Sequence, residues 1–255
     1  MNCKNANQEL GFDKFSECNY NLHWSFSNFN RILMVAGQIA QLPNGSKVLE
    51  LGAGSSDLEN IVKKNFKRDD IKFIKIDGDK QYESDEKITV FDITSAECAL
   101  YCMKNGPYNA VVFMEVIEHL SKEDGKRIIK LIHRALVSEG LMLFTTPTPP
   151  NYGRFEDRVW PLDHEIEYDY REAYDIVNPY FKINKEIGWS MEERDYHRIL
   201  EYDRELSSVY CRLKGAFPES YIRAIIACLA PVQDNRQVLF VCRKRRFPNG
   251  RPTQT

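Results

Sequence analysis

The sequence lacks a long hydrophobic run, a strong net charge and any Cys-x-x-Cys pair. Its nearest approach to a membrane span, Ala224 to Val232, is about half of the ~18 apolar residues required, so no span is predicted. A net charge of −2 over 255 residues gives no basic surplus of the kind that nucleic-acid-binding proteins carry. The polar stretch Met1 to Lys14 has no apolar signal-peptide core, and the cysteine count is odd. We therefore expect reduced thiols and a cytoplasmic protein.

What the sequence does contain is a short apolar strand that runs into a glycine turn, Lys47 to Ser56. The Glu50 carboxylate inside this strand is costly to bury unless a partner or ligand pairs with it. Gly52 and Gly54 permit a sharp turn and let a ligand approach main-chain N–H groups. A strand, a glycine turn and a helix in this order mark the nucleotide end of an α/β fold. A dehydrogenase would place a further glycine at Asp57, so a nicotinamide cofactor is disfavoured.

Two further strands are predicted to end in acidic residues. Residues 71–76 form the second strand, and Asp77 follows it directly. In a doubly wound sheet an acid at this point lies beside the glycine turn and can accept hydrogen bonds from ribose hydroxyls. A plain Asp-Gly turn is the alternative interpretation, with Asp79 as a second candidate acid. Residues 87–91 form the third strand, which Asp92 follows.

The fourth and fifth strands frame a cluster of acids and histidines. Residues 108–114 read as the fourth strand, which ends in the stretch Glu115 to Leu120. Ser121 begins a helix with apolar positions at helical spacing, and Ser138 to Gly140 closes it. Residues 141–146 form the fifth strand, and the prolines after it force an extended loop.

These patterns together resemble the class I S-adenosylmethionine (SAM) methyltransferases. Lys47 to Ser56 matches their acid-x-Gly-x-Gly-x-Gly motif, with Ser56 in place of the third glycine. Residues 115–147 match their acid-x-x-Glu-His-Leu … small-Gly-x-Leu … Thr-Pro pattern. The resemblance covers roughly residues 47 to 190 and implies an α/β, Rossmann-like fold. We expect a seven-stranded, mostly parallel sheet with helices on both faces, an N-terminal helical cap and a helical insertion before the last strand.

The resemblance also implies a partition of the chain and a cofactor site for SAM. The expected parts are a cap (1–46), a SAM-binding core (47–191), a helical insertion (192–236), the last core strand (237–246) and a flexible tail (247–255). Glu50 and the glycine turn would hold the amino-acid part of SAM, Asp77 the ribose, and Asp92 with its apolar neighbour the adenine. The cofactor-binding residues expected in this way are Glu50, Gly52, Ala53, Gly54, Asp77, Gly78, Asp92, Ile93 and Met114.

Methyl transfer from a sulfonium requires little more of the protein than alignment of the acceptor and removal of its proton. Side chains at the carboxyl ends of the fourth and fifth strands would face the methyl group. Glu115, His119 and His164 are therefore the candidate catalytic residues, with either histidine as general base. A purely structural role for both histidines is the alternative.

A metal site is a second interpretation of the same residues. Glu115, Glu118 and His119 stand at i, i+3 and i+4 and can share one face of a helical turn. Together with His164 they would offer a divalent cation two carboxylates and two imidazoles. This set resembles the small-RNA 3′-terminal 2′-O-methyltransferases. Small-molecule enzymes, including those of ubiquinone biosynthesis, carry the same stretch, so both interpretations stay open.

The function predicted from this resemblance is O-methylation of a small polar acceptor such as a sugar, a sugar-nucleotide or a phenol. The alternatives are a metal-dependent RNA 2′-O-methyltransferase, an N-methyltransferase of a small metabolite, and a non-catalytic SAM-binding protein. A small molecule is the expected partner, and a nucleic acid is not. The insertion, in which helices are predicted over 198–213 and 219–229, would shape the acceptor pocket or a homodimer contact. The residues predicted to line that pocket are His23, Tyr152, Trp160 and Tyr168.

Overall fold

The computed structural model describes residues 22–54, 57–148 and 164–246, with side chains from residue 29 onward. Tyr152, Trp160 and the predicted tail 247–255 lie outside these ranges, as do Ser56 and the side chain of His23. Predictions about these residues therefore remain predictions.

A single seven-stranded sheet organises the described chain, in the order β3-β2-β1-β4-β5-β7-β6. Strands β1 to β5 run parallel, and β7 is antiparallel to both β5 and β6. The predicted seven-stranded, mostly parallel sheet is thereby confirmed. The strands are β1 (Lys47–Leu51), β2 (Lys72–Asp77), β3 (Ile88–Val90), β4 (Tyr108–Met114), β5 (Leu136–Pro147), β6 (Phe181–Ser190) and β7 (Gln237–Lys244).

Eight α-helices accompany the strands in the described ranges. They are α1 (Leu22–Ile39), α2 (Leu58–Phe66), α3 (Ala96–Asn105), α4 (Lys122–Ala135), α5 (Tyr170–Val177), α6 (Glu193–Tyr202), α7 (Arg204–Leu213) and α8 (Glu219–Leu229). None of these helices is long and apolar enough to cross a membrane.

The central strands are apolar on both faces because helices cover both faces of the sheet. In β4, Val111 and Phe113 pack with α3, α4 and α5, whereas Ala110 and Val112 pack with α1 and α2. Cys98, on α3, is buried in the first of these cores. The strand order places the ends of β1, β4 and β5 side by side.

The prediction for the start of the fifth strand was wrong. Helix α4 begins at the Ser121 cap, whose hydroxyl accepts a hydrogen bond from the Asp124 N–H, but it ends at Ala135. Strand β5 starts at Leu136 and not at 141, because Leu136 already pairs with Tyr108 of β4. The register shifts just after this pair, as in a β-bulge.

The insertion is also more divided than predicted. The expected helix over 198–213 is two helices, because the Asp203 carboxylate accepts hydrogen bonds from the N–H groups of Glu205 and Leu206 and caps α7. Helices α6, α7 and α8 share a small hydrophobic core of their own. Helix α8 also packs against β6 and touches α1, so the insertion adjoins the helix that covers the sheet.

Candidate functional site

The turn after β1 has the geometry that its glycines predict. Gly52 adopts φ +72°, and a Cβ added there would lie 2.3 Å from Cγ2 of Val116, so a side chain is excluded. Gly54 adopts φ +50°. Glu50 is buried in β1, with Lys75 of β2 and Val112 of β4 as its neighbours in register. At Gly52 and Gly54 the turn therefore offers main chain alone.

Asp77 ties the glycine turn to the end of β2. Its Oδ2 accepts a hydrogen bond from the Gly54 N–H at 2.7 Å, and its Oδ1 accepts one from the Asp79 N–H at 2.8 Å. The N–H groups of Gly52 and Ala53 both donate to the carbonyl of Ile76. Each carboxylate oxygen keeps further acceptor capacity, so Asp77 fits a pair of ribose hydroxyls.

The loop after β3 adds the third part of the predicted cofactor site. The Asp92 carboxylate accepts hydrogen bonds from the N–H and hydroxyl of Thr94, both at 2.8 Å, and these bonds lower the pKa of Asp92. Ile93 is buried beside it. Gly78 lies against this loop, since a Cβ there would stand 3.6 Å from the Phe91 carbonyl oxygen. The three loops thus lie beside one another at the carboxyl ends of β1, β2 and β3.

The residue that follows Met114 of β4 has an unusual backbone. Glu115 adopts φ +51°, a left-handed conformation that costs a non-glycine residue about 1–3 kcal/mol and often marks functional sites. Its Oε2 lies 3.3 Å from Nη1 of Arg31 on α1 and accepts a hydrogen bond from Nε2 of Gln237 at 3.0 Å. Neither Arg31 nor Gln237 was identified from the sequence, since no local pattern connects either residue to Glu115.

The turn beyond Glu115 carries a buried carboxylate and two imidazoles. Glu118 is 1% exposed and accepts a hydrogen bond from the Thr146 hydroxyl at 3.2 Å. Burial raises the pKa of Glu118 well above its ordinary value, and the nearby negative charge of Glu115 raises it further. The rings of His119 and His164 meet edge to face, with centroids 4.9 Å apart. This group differs from the predicted quartet in that Glu115 turns toward Arg31.

His164 reaches this turn through main-chain contacts of its own segment. The N–H groups of Glu165 and Ile166 donate to the carbonyl oxygen of Glu118 at 2.8 and 3.0 Å. Nδ1 of His164 lies 2.9 Å from Oε1 of the buried Glu167. The chain beyond β5 is thereby held over the end of β4.

One donor atom from each of Glu118, His119 and His164 lies within 4.8 Å of the others. A carboxylate with two imidazoles is a donor set that suits a divalent transition metal, so these three residues fit a metal ion. The same set also suits proton transfer, because an imidazole changes its protonation near neutral pH.

Tyr168, predicted as a pocket wall, is 3% exposed. Its hydroxyl oxygen lies against α4, where a Cβ added to Gly125 would stand 3.4 Å away. Burial raises the pKa of Tyr168 to about 12. Its place as a wall of the acceptor pocket stays a prediction.

Comparison with known proteins assigns this arrangement to a family. A family model described as a methyltransferase domain matches residues 23–202. No curated protein matches the chain in sequence. Among solved structures, a SAM-dependent methyltransferase from Archaeoglobus fulgidus is similar with a TM-score of 0.52 and 16% identity, over 88% of this chain and 100% of that chain.

Two further structures share the fold. Phosphoethanolamine N-methyltransferase 2 from Haemonchus contortus is similar with a TM-score of 0.51 and 16% identity, over 85% of this chain and 53% of that chain. The small RNA methyltransferase HEN1 is similar with a TM-score of 0.57 and 10% identity, over 86% of this chain and 25% of that chain. Identities this low show the fold alone. Because the family model matches most of the chain and the sheet has the expected order, the chain belongs to the class I SAM-dependent methyltransferases.

Proposed function

We propose that this enzyme methylates a hydroxyl group of a small polar acceptor such as a sugar, a sugar-nucleotide or a phenol. The observation that carries the proposal is the pair of imidazoles, His119 and His164, beside Glu118 at the end of β4. When bound, SAM supplies a methyl group already activated by its positive sulfur. The protein must then remove a proton from a neutral hydroxyl, and an imidazole with an unprotonated nitrogen can do so.

The residues of the cofactor side act by binding. The main chain of the glycine turn accommodates the methionine part, and Asp77 accepts hydrogen bonds from the ribose. Asp92, with a lowered pKa, stays ionised near neutral pH and can accept a hydrogen bond from the adenine amino group. These contacts hold the donor over the ends of β1 and β4.

The residues of the acceptor side orient the acceptor and accept the proton of its hydroxyl group. His119 is exposed, so it can meet an acceptor, and the edge of its ring faces His164. The ion pair between Arg31 and Glu115 holds α1 against the end of β4, which would restrict water at the reacting atoms. A small molecule is the partner we propose.

A metal-dependent RNA 2′-O-methyltransferase is the second candidate, and one observation favours it. Glu118, His119 and His164 fit a divalent cation, which would bind the acceptor oxygens and lower the pKa of the hydroxyl. The net charge of −2 counts against RNA as the acceptor. N-methylation of a small amine remains a third candidate, since the fold is shared with a phosphoethanolamine N-methyltransferase.

The test is transfer of labelled methyl from SAM into a size-fractionated cell extract, with and without a chelator. We expect label in small metabolites, in an amount that the chelator leaves unchanged. We expect that label on a methylated hydroxyl group and not on a methylated amine. Label in RNA that disappears with the chelator would replace the proposal by the second candidate. Label in a small methylated amine would replace it by the third.

A further inference from the structure

Glu167 is a buried acid that the proposed reaction does not yet use. Its side chain is 3% exposed, and its Oε1 lies 2.9 Å from Nδ1 of His164, which is 14% exposed. A carboxylate this deep in a protein is costly unless it accepts hydrogen bonds. The ring nitrogen of His164 provides one, so the two side chains form a buried pair.

The backbone around this pair is fixed at both ends. On one side, the N–H groups of Glu165 and Ile166 are bonded to the Glu118 carbonyl. On the other, Asp169 caps α5 in a reciprocal capping box with Glu172. The intervening residues 166–168 are all buried. Glu167 and His164 are therefore held at a set distance by the fold and not by their own contact alone.

The contact has a chemical consequence for His164. A neutral imidazole carries its single proton on one nitrogen, and the partner of that nitrogen selects the tautomer. A carboxylate only accepts hydrogen bonds, so it selects the tautomer with the proton on Nδ1. Nε2 is then left unprotonated and can accept a proton or bind a metal ion.

We propose that Glu167 is a positioning residue, which fixes the Nδ1–H tautomer of His164 and thereby presents Nε2 as a proton acceptor. The use of Nε2 as a base rests on the proposed function; the tautomer itself does not. The same contact would orient the ring whether Nε2 receives a proton or binds a metal.

The direct test is ¹⁵N NMR of the histidine rings in the full chain at pH 8, with His164 assigned by its loss in His164→Gln. We expect Nδ1 of His164 in the protonated range and Nε2 in the unprotonated range. The opposite pattern in the wild-type protein would overturn the inference without any variant being needed.

Variants extend the test. Glu167→Ala should shift His164 toward a mixture of tautomers, whereas Glu167→Gln, which keeps a carbonyl oxygen in place, should restore most of the wild-type pattern. Glu165→Gln is the matched control, because it removes the same charge from an exposed side chain two residues away. An unchanged tautomer in folded Glu167→Ala would overturn the inference. If that variant does not fold, the wild-type spectrum and Glu167→Gln decide.

Kinetics separate this inference from the proposed function. In the methyl-transfer assay, Glu167→Ala should lower kcat by about 10- to 100-fold and leave the SAM dissociation constant unchanged, and Glu167→Gln should recover part of the loss. If His164 has the Nδ1–H tautomer but the protein transfers no label, the proposed function is wrong and the inference stands. If the protein transfers label but His164 has the opposite tautomer, the proposed function stands and the inference is wrong.

Discussion

Asp77 and Asp92, which lie at the end of β2 and after β3 in the cofactor half of the sheet edge, differ in burial from Glu118, which follows β4 in the acceptor half. In the cofactor half, Asp77 and Asp92 are exposed or half-buried and accept hydrogen bonds from nearby main-chain N–H groups, which lowers the pKa of Asp92. In the acceptor half, Glu118 is buried, and its pKa is raised. Asp92 is thereby kept ionised, whereas Glu118 is a carboxyl group for which a proton or a cation would be favoured.

The halves also differ in how their side chains are held. The contacts of the cofactor half run from a carboxylate to the backbone of its own or the adjoining loop, as with Asp79 and Asp77. Those of the acceptor half join side chains from distant elements, as Gln237 of β7 and Arg31 of α1 do at Glu115. Binding and chemistry should therefore be separable by mutation, and the following predictions test that separation.

The largest expected effect is on the glycine turn. Gly52→Ala should lower the free energy of unfolding by about 2–4 kcal/mol, because its φ of +72° is unfavourable for alanine and its Cβ would clash with Val116. Chemical denaturation measures this loss. Gly78→Ala is the control, since no positive φ is required there and the nearest atom is 3.6 Å away. Equal losses in the two variants would contradict the role assigned to the turn.

Asp77→Asn should weaken SAM binding by about 10- to 100-fold, because neutral amide contacts replace charge-assisted hydrogen bonds to the ribose. Titration calorimetry with SAM measures the affinity. The unfolding midpoint without SAM should change much less than the affinity. An unchanged SAM affinity would mean that the ribose binds elsewhere.

The next contrast lies within β5, between two adjacent threonines that are both 0% exposed. Thr146→Val should cost about 1–3 kcal/mol, because its hydroxyl donates to Glu118. Thr145→Val should leave stability unchanged or slightly higher, since the Thr145 hydroxyl has no hydrogen-bond partner within the described part of the chain. Thermal unfolding of the two variants provides the comparison, and a larger loss for Thr145→Val would reverse it.

The smallest expected effect concerns alkaline pH. Because the folded pKa of Tyr168 is raised to about 12 from 10.0, this residue contributes stability that is present below pH 10 and is lost as pH rises toward 12. Tyr168→Phe should therefore lose less stability than the wild type between pH 10 and 12, and the two should be similar at pH 8. Denaturation at several pH values tests this, and parallel pH profiles would contradict it.

The cofactor half was largely predictable because its signals are local. A glycine at position 52 predicts a turn by its residue type. Asp77 follows a strand that the alternation of its apolar residues and its composition predict. These features depend on a few neighbouring residues, so the sequence contains them. The seven-stranded sheet followed from the same local patterns together with the family resemblance.

The acceptor half was predictable only in part. The sequence singled out His119 and His164, but it gave no sign of Arg31 or Gln237, since their contacts with Glu115 exist only after α1 and β7 have packed on the sheet. The same holds for Glu167, which reads as one acid among several until its burial is known. Asp203 shows a different error. Its signal as a helix cap is local, but it was overlooked within a longer helical pattern, so one helix was predicted where there are two.

The central claim, that one half binds SAM and the other moves the proton, is tested most directly by one measurement. It is the rate of labelled methyl transfer into the small-metabolite fraction as SAM is raised to saturation, for wild type, Asp77→Asn and His164→Ala. We predict that saturating SAM restores Asp77→Asn to near the wild-type rate, whereas His164→Ala stays about 10²–10⁴-fold slower at every SAM concentration. This division of roles would be contradicted if saturating SAM restored the rate of His164→Ala, or if it failed to restore the rate of Asp77→Asn.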